Sequence, residues 1–291
     1  MKLCYSTNKG YLPGVLMTIL SAALVTTEPL DILLLTGDFS ELKPAYKPLT
    51  EEDASFIESV IKLYNPENKV ELIDMTADYK AELQTYKCYK GHFSPYTLLR
   101  LFIDNFVDSG RVLYIDVDTI ILKDLSELYH IDMQGNMVAM VLDALGKYWV
   151  AADYCNAGVT LFDLDAIKGT DRFEKCRRQV KEHSMMMPDQ SAINKYFRDS
   201  KHQIDGKFNE QRSIKEDTVI RHYCRILKFL PTPHYIQSKP WDDIDYFHEN
   251  RKEYQCDHVI SLAREYLKQR EEGKETSLIP TPEPSKQPTE K

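Results

Sequence analysis

Hydrophobic and polar residues occur along the first half of the chain in blocks that predict strands and helices in turn. Short apolar runs predict four strands, at residues 3–6, 31–35, 70–73 and 112–115. The segments between them predict helices, one of which follows the N-cap residue Thr50 and another the pair Ser94-Pro95. Strands that alternate with helices predict an α/β fold with a mostly parallel sheet and helices on both faces.

The second half continues this pattern and ends in a strongly charged segment. Further apolar runs predict strands at 137–142, 159–162 and 218–223, and polar segments predict helices at 171–183 and from Pro188. We expect one α/β domain over residues 1–248, a charged C-terminal helix over 249–272 and a disordered, proline-rich tail over 273–291.

The longest apolar stretch, residues 12–25, has two interpretations. It is too short to span a bilayer. Lysines before it and small residues after it are compatible with a signal peptide. Against this, residues 2–6 already predict a first strand, and Pro13 suits the first turn of a helix. We therefore favour a helix of the domain, and we leave the signal peptide open as the alternative.

Composition limits the classes of function. The chain has 291 residues, 43% of them hydrophobic, which is enough for one large core. Its formal net charge of -8 argues against a nucleic-acid partner, and an anionic ligand would need local positive charge. Six cysteines without a Cys-x-x-Cys pair predict neither a zinc ribbon nor a disulfide framework. Reduced thiols favour a cytoplasmic location.

Asp116-Val117-Asp118 is the motif that carries most chemistry. It directly follows the strand predicted at 112–115, so both carboxylates should share a face at the carboxyl end of a core strand, where α/β sheets bind ligands. Two adjacent carboxylates repel each other unless a cation lies between them. The motif therefore predicts a divalent-metal site for a phosphorylated ligand. The same spacing recurs at 163–165 and 243–245, so it is not specific alone, and Asp165 fits a turn or cap.

Further segments stand in an order that resembles glycosyltransferase family 8, whose members are retaining and metal-dependent. The segments are residues 6–11 (STNKGY), 94–100 (SPYTLLR), 114–120 (YIDVDTI), 156–162 (NAGVTLF), 188–194 (PDQSAIN) and 239–241 (KPW). The resemblance covers residues 2–245. It implies a Rossmann-like, nucleotide-sugar-binding domain of the glycosyltransferase A type.

The resemblance also implies which residues bind the donor. Tyr11 would stack on uracil beside Asn8, Arg100 would contact the donor sugar or diphosphate, and Lys239 would hold the diphosphate. The other residues implied to line the donor site are Tyr5, Ser6, Val117, Asp143, Asn156, Ala157 and Gly158. Gly158 suits this place because a residue without a side chain lets the backbone approach a ligand.

Catalytic residues and metal ligands follow from the same resemblance. Asp189 would hold sugar hydroxyls, and the Gln190 side chain would lie near the anomeric carbon opposite the leaving group. Asp116 and Asp118 would bind the metal together with a histidine, either His222 or His234. We favour His222 because it ends a predicted strand and would be held rigidly, although a longer segment then separates it from Lys239. Mixed carboxylate and imidazole ligands favour Mn²⁺, with Mg²⁺ as the alternative.

The implied activity is transfer of a hexose, glucose or galactose, from a UDP-sugar to a hydroxyl of a carbohydrate or glycoconjugate acceptor. One alternative is a non-catalytic UDP-sugar-binding protein, because the segment before Lys239 departs from the family pattern. Another is a haloacid-dehalogenase-like phosphatase with the form Asp-x-Asp-x-Thr, although that motif normally follows a first strand. The basic residues of the C-terminal helix leave peripheral membrane contact open.

Overall fold

A seven-stranded mixed sheet forms the centre of the molecule in a computed structural model, which describes residues 1–83, 94–185, 187–228, 232 and 234–281. The strands of this sheet are β1 (Lys2–Ser6), β2 (Asp31–Thr36), β3 (Lys69–Asp74), β4 (Arg111–Ile115), β6 (Val138–Leu142), β7 (Cys155–Asp163) and β8 (Lys201–Gln203). Their order is β3-β2-β1-β4-β7-β6-β8. Two small sheets pair β5 (Thr119–Ile121) with β9 (Ile220–His222), and β10 (Ile226–Lys228) with β11 (His234–Ile236).

Parallel pairing dominates the sheet, as the sequence predicts. The pairs β3–β2, β2–β1 and β1–β4 are parallel, and β6 is parallel to β8. Strand β7 runs antiparallel to both β4 and β6. Because β4 and β7 are antiparallel, the carboxyl end of β4 lies beside the amino end of β7, and this junction carries the candidate site.

Helices cover both faces of the sheet. The α-helices are α1 (Leu12–Val25), α2 (Glu51–Lys62), α3 (Thr76–Leu83), α4 (Ser126–Tyr129), α5 (Gly146–Trp149), α6 (Leu164–Ile167), α7 (Arg172–Glu182), α8 (Pro188–Tyr196), α9 (Ile244–Arg251) and α10 (Asp257–Glu271). One apolar layer combines α1, α2 and α10, and the other combines α7, α8 and the segment before β4. The sandwich of two helical layers around a sheet is the architecture that the alternating pattern predicts.

Local sequence signals explain where several helices begin. Thr50 accepts a hydrogen bond from the N–H of Asp53, whose carboxylate bonds back to the N–H of Thr50, so α2 starts with a capping box. Pro13 lies in the first turn of α1, as expected. Helix α1 is the apolar stretch of residues 12–25, and it is buried against the sheet. The stretch is therefore a helix of the domain, which is the interpretation favoured from the sequence.

Two helices differ from their predicted form. The segment Pro95–Asn105 starts at the predicted cap Ser94 but is a 3-10 helix. The single helix predicted over 249–272 is instead α9 and α10, because Lys252 adopts a left-handed conformation with φ of 57° and ends α9. An uninterrupted charged pattern does not reveal such a break, since lysine rarely takes a positive φ.

The C-terminal segment, predicted as a disordered tail from residue 273, is partly described. The hydroxyl of Ser59 donates to the hydroxyl of Thr276 at 3.1 Å, and Ile279 packs against the same apolar layer as α10. This part of the segment therefore contacts α2 and α10, and the disorder of the tail stays a prediction. Residues 282–291 lie outside the described part of the chain. Within the described residues, no helix is long and apolar enough to cross a membrane.

Candidate active site

The junction of β4 and β7 places the Asp-x-Asp motif. The N–H of Asp116, directly after β4, donates to the carbonyl of Gly158 at 2.7 Å. The pairing of β6 with β7 shifts register between Met140 and Val141, opposite the segment around Ala157 and Gly158. Such a bulge releases backbone groups from the sheet and turns them toward other partners. The predicted Asn156-Ala157-Gly158 segment therefore lies directly beside the Asp-x-Asp motif.

The small sheet of β5 and β9 brings His222 to the same place. Thr119 is the register partner of His222, and the N–H of Tyr223 donates to the carbonyl of Asp118 at 2.7 Å. As a result, one ligand atom from each of Asp116, Asp118 and His222 lies within 4.8 Å of the other two. In the part of the chain that the structure describes, these three side chains form a group that could hold a metal ion.

We call Asp116, Asp118 and His222 the open cluster. The ligand atoms of these three residues fit a divalent ion. Nε2 of His222 lies 3.2 Å from a carboxylate oxygen of Asp118 and 3.8 Å from one of Asp116. A Cβ added to Gly158 would lie 2.2 Å from the His222 ring and 2.7 Å from the Asp116 carboxylate. Only glycine therefore leaves room for the cluster. Carboxylate and imidazole donors suit Mn²⁺ and related ions.

Lys239 reaches the open cluster from the Lys-Pro-Trp segment. Its ammonium contacts the Asp118 carboxylate and donates to the carbonyl of Tyr223 at 2.8 Å. Burial raises the pKa of Asp118, but the charges of Lys239 and His222 outweigh it and hold that pKa well below its usual range. Asp118 is therefore an ionised carboxylate at neutral pH, as a metal ligand must be.

Arg100 joins the open cluster to the residues predicted to hold the sugar. Its side chain is buried, donates to Asp116 at 2.7 Å and lies 3.2 Å from the Asp189 carboxylate. The guanidinium also stacks on the Tyr114 ring, 4.1 Å from the ring centre. Burial lowers the pKa of Arg100, but Asp116, Tyr114 and Asp189 together raise it above its ordinary value. Arg100 is thus a fixed positive charge between two carboxylates.

The predicted sugar-binding residues form a connected, buried network. One oxygen of Asp143 accepts from Asn156 at 3.0 Å and from Gln190 at 3.1 Å. Its other oxygen accepts from the N–H groups of Leu145 and Gly146, which fixes the carboxylate at the end of β6. The structure therefore brings Asp143, Asn156 and Gln190 together.

Asp189 and Gln190 begin α8, which Pro188 opens. Burial raises the pKa of Asp189, and nearby Arg100 offsets part of this rise. The amide of Gln190 is used at both ends, since its oxygen accepts from the N–H of Ala157 at 3.0 Å and its nitrogen donates to Asp143. An amide held in this way is a positioned polar group and a poor nucleophile.

The predicted nucleotide-binding turn after β1 lies near Trp241. Asn8 caps the turn by accepting from the N–H of Gly10 at 2.8 Å. Tyr11 is 43% exposed and packs edge-on against Trp241, with ring centres 5.6 Å apart. Trp241 also covers Gly14, where an added Cβ would lie 2.5 Å from the indole. An exposed phenol held by an indole is a surface on which a planar base can stack.

Some predicted residues are placed less favourably. Tyr5 is fully buried in the core, so its side chain cannot contact a donor, and that part of the prediction is wrong. The reason is that β1 is an interior strand with apolar layers on both faces, so Leu3, Cys4 and Tyr5 are all fully buried. Ser6 is buried at the end of β1, and Val117 is partly exposed between the two aspartates. The side chain of His234 lies outside the described residues, so the alternative metal ligand has no description.

Three residues of the site have no counterpart among the predictions. The hydroxyl of Tyr114 donates to Asp116 at 3.1 Å, Asn209 bonds to His222 at 2.9 Å, and Trp241 packs against Tyr11 in the turn after β1. Asn209 is the last residue of a short 3-10 helix, Gly206–Asn209, in a segment without a recognisable motif. Its contact with His222 depends on tertiary structure alone, which explains why sequence spacing gives no signal for it.

Comparison with known proteins identifies the family. The family model described as glycosyl transferase family 8 matches residues 2–245, which is most of the chain. The chain therefore belongs to glycosyl transferase family 8. This excludes the haloacid-dehalogenase-like alternative, which also requires the Asp-x-Asp motif after a first strand, whereas here it follows β4.

Individual relatives agree with the family assignment. Glycosyltransferase GlyA of Streptococcus pneumoniae is 25% identical over 248 residues, which are 82% of this chain and 32% of GlyA. Lipopolysaccharide 1,3-galactosyltransferase of Salmonella typhimurium is 25% identical over 261 residues, 82% of this chain and 72% of that protein. An active-site mutant of LgtC has a similar structure, with a TM-score of 0.68, 18% identity and coverage of 91% and 96%. The fold is thus that of LgtC.

Proposed function

We propose that this protein transfers a hexose from a UDP-sugar to an acceptor hydroxyl with retention of the anomeric configuration. One observation carries the proposal: the open cluster and the Asp143–Gln190 network lie side by side, joined by Arg100. A diphosphate at the open cluster would extend its sugar toward Asp143 and Gln190. This is the arrangement that a nucleotide-sugar donor requires.

The open cluster would hold the donor diphosphate through a divalent ion, for which we propose Mn²⁺ with Mg²⁺ as the alternative. Such an ion supplies Lewis-acid stabilisation of the charge on the departing UDP. Lys239 and Arg100 flank the same place and add two positive charges that an otherwise acidic protein needs there. Asn8 and Tyr11 would bind the uracil base.

The sugar would lie against Asp143, Asp189, Asn156 and the backbone of Ala157 and Gly158. Since both ends of the Gln190 amide are occupied, we do not expect a covalent glycosyl-enzyme. The acceptor hydroxyl would instead attack from the face that UDP leaves. The new glycosidic bond forms as the bond to the phosphate oxygen breaks, and the leaving phosphate takes the hydroxyl proton.

The identity of the hexose and the acceptor is part of the proposal. The Salmonella relative is named a lipopolysaccharide 1,3-galactosyltransferase, which supports galactose or glucose as the sugar and a carbohydrate or glycoconjugate as the acceptor. The chain spans 32% to 46% of the length of GlyA, GlyB and GlyE of Streptococcus pneumoniae. The activity of those longer proteins therefore supports the proposed activity of this chain but does not establish it.

We also propose a cytoplasmic location, without a nucleic-acid partner. The described cysteines, Cys4, Cys155, Cys176, Cys224 and Cys256, are free thiols, which fits a reducing compartment. The basic residues near the end of α10 leave peripheral membrane contact as a further proposal.

The test is the release of UDP from a panel of UDP-sugars with Mn²⁺, with Mg²⁺ and with a chelator. The proposal predicts slow hydrolysis of UDP-glucose or UDP-galactose that requires the divalent ion. Tight UDP binding without any hydrolysis or transfer would favour the non-catalytic alternative. Absence of both binding and hydrolysis would contradict the proposal.

A further inference from the structure

A buried chain of hydrogen bonds connects the open cluster to the sugar-binding network. Nδ1 of His222 lies 2.9 Å from Oδ1 of Asn209, and Nδ2 of Asn209 donates to Oδ1 of Asn156 at 3.0 Å. Nδ2 of Asn156 donates in turn to Asp143 at 3.0 Å. All four side chains are at least nine-tenths buried. Buried polar groups in such a chain fix one another, because water offers no substitute partner.

The backbone determines the orientation of both amides in this chain. The oxygen and nitrogen of an asparagine amide are interchangeable in shape, so partners must decide which is which. The N–H of Gly158 donates to the Asn156 side chain at 2.9 Å, and an N–H can only donate. The atom of Asn156 at this position is therefore the oxygen. Asn209 must then point its nitrogen toward that oxygen and its own oxygen toward His222.

This orientation selects the form of the His222 ring. An oxygen opposite Nδ1 requires that Nδ1 carries the hydrogen, so Nε2 keeps its lone pair when the ring is neutral. Nε2 is the atom that faces Asp118 at 3.2 Å and Asp116 at 3.8 Å. Metal-binding histidines usually donate their other N–H to an oxygen, which orients the ring and increases its basicity.

We propose that Asn209 is a positioning residue that holds His222 in the tautomer and ring orientation needed to bind a divalent cation. This proposal rests on the proposed function, which assigns that cation to the open cluster. The relay begins at the N–H of Gly158, beside the predicted sugar site, and ends at Nε2 of His222. Asn209 thus links His222 to Asn156 of the sugar-binding network.

The backbone around Asn209 is held without its side chain. The next carbonyl, that of Glu210, accepts from the N–H of His222 at 2.9 Å and from Arg221 at 2.9 Å. The N–H of Glu210 donates to the carbonyl of Ile220 at 2.9 Å. A substitution that changes only the Asn209 side chain therefore leaves the pairing of this segment with β9 in place, which makes the proposal testable by mutation.

The test uses two isosteric substitutions and the binding of Mn²⁺ alone, measured by calorimetry without nucleotide. Asn209→Leu removes the acceptor for Nδ1, and we expect Mn²⁺ binding to weaken by about 10- to 100-fold. Asn209→Asp keeps an oxygen at that position, and we expect it to bind Mn²⁺ more tightly than the Leu variant by about tenfold.

Asn68→Leu is the matched control. Asn68 is equally buried and also bonds at both ends, to the N–H of Leu30 and the carbonyl of Ile61, far from the site in the fold. It should lower the melting temperature and leave Mn²⁺ affinity unchanged. Wild-type affinity in Asn209→Leu, or an equal loss in Asn68→Leu, would overturn the proposal.

Nitrogen NMR of His222 separates this proposal from the proposed function, because it needs neither metal nor donor. In the neutral form of the His222 ring, wild-type protein should show the hydrogen on Nδ1, and Asn209→Leu should shift the ring toward the other tautomer. A wild-type ring with its hydrogen on Nε2 would overturn the proposal. If wild-type protein shows the expected tautomer but binds neither Mn²⁺ nor Mg²⁺, the proposed function is contradicted. Asn209 would then still be the residue that determines the tautomer of the His222 ring.

Discussion

Two clusters of ionisable side chains in this molecule differ in composition and in geometry. In the open cluster, two carboxylates and an imidazole nitrogen face one another, and the side chains of Asp116 and Asp118 keep 27% and 17% of their exposure. In what we call the closed cluster (Lys9, Asp53 and Arg270), one fully buried carboxylate accepts from Lys9 and Arg270. The N–H of Thr50 bonds to the same carboxylate.

The difference between the clusters shows how a cluster that can bind a ligand is distinguished from one that only stabilises the fold. The closed cluster has two positive side chains and one negative one, and its carboxylate is fully buried. Its ion pairs link the turn before α1, the start of α2 and the end of α10. The open cluster still directs several lone pairs at one point. A pair of carboxylates that keeps access to solvent can bind a cation, whereas a fully buried carboxylate held by two cationic side chains links elements of the fold.

The largest effect should follow from a change in the open cluster. We expect Asp118→Asn to reduce divalent-ion-dependent UDP release to the level seen with a chelator, because it removes a ligand and its charge. The measurement is UDP release from the most active UDP-sugar. Asp165→Asn is the control, since it alters an exposed Asp-x-Asp residue in the first turn of α6 and should keep wild-type turnover. Full turnover in Asp118→Asn would contradict the assignment.

A change of shape should act almost as strongly as a change of charge. In Gly158→Ala the new Cβ would lie 2.2 Å from the His222 ring, so the ligands must move apart, and we expect Mn²⁺ binding to weaken by at least about tenfold. Gly206→Ala is the matched control, because nothing lies within 4 Å of its Cβ position. Calorimetric titration of both variants measures the effect, and equal affinities would show that the open cluster does not bind the ion.

The closed cluster should respond in stability and not in metal binding. We expect Asp53→Ala to lower the free energy of unfolding by about 2 kcal/mol, less than the loss of about 3–5 kcal/mol for fully buried pairs, because Lys9 and Arg270 are partly hydrated. Denaturant unfolding measures the change. Mn²⁺ affinity should stay within about twofold of wild type, a margin below the effect of an outer-sphere change. A marked loss of affinity would mean that the two clusters are not independent.

The smallest effect concerns pH. Burial raises the pKa of Asp53, but bonds from Lys9, Thr50 and Arg270 outweigh this and leave the pKa below its ordinary value. A lowered pKa stabilises the fold above the unfolded value of about 3.9, and that stabilisation disappears as pH falls through the folded value. The stability difference between wild type and Asp53→Ala should therefore shrink below a pH of about 4. A difference that grows on acidification would contradict this account.

The sequence predicts the parts of this molecule that depend on local pattern. Strands β1, β2, β3 and β4 and the cap of α2 follow from apolar runs and from Thr50 and Asp53. The Asp-x-Asp motif at the end of β4 follows from position on a strand. These features need only a few neighbouring residues, so a single sequence contains them.

The remaining parts depend on contacts between distant residues. The antiparallel direction of β7, the burial of Tyr5 and the break at Lys252 are set by tertiary packing. The same is true of the contact between Asn209 and His222 in the site, and of the contact between Lys9 and Asp53 in the closed cluster. Capping illustrates the limit on a small scale: Asp163, and not the expected Asp165, accepts from the N–H of Ala166 and caps α6.

The most direct test of the account is a titration of Mn²⁺, followed by electron paramagnetic resonance, into wild type, Asp118→Asn and Asp53→Ala. The account predicts one bound ion per wild-type chain, no such ion in Asp118→Asn, and wild-type binding in Asp53→Ala. Binding of Mn²⁺ that survives the loss of Asp118, or that disappears with Asp53 while the protein stays folded, would contradict the assignment of the open cluster as the cation site.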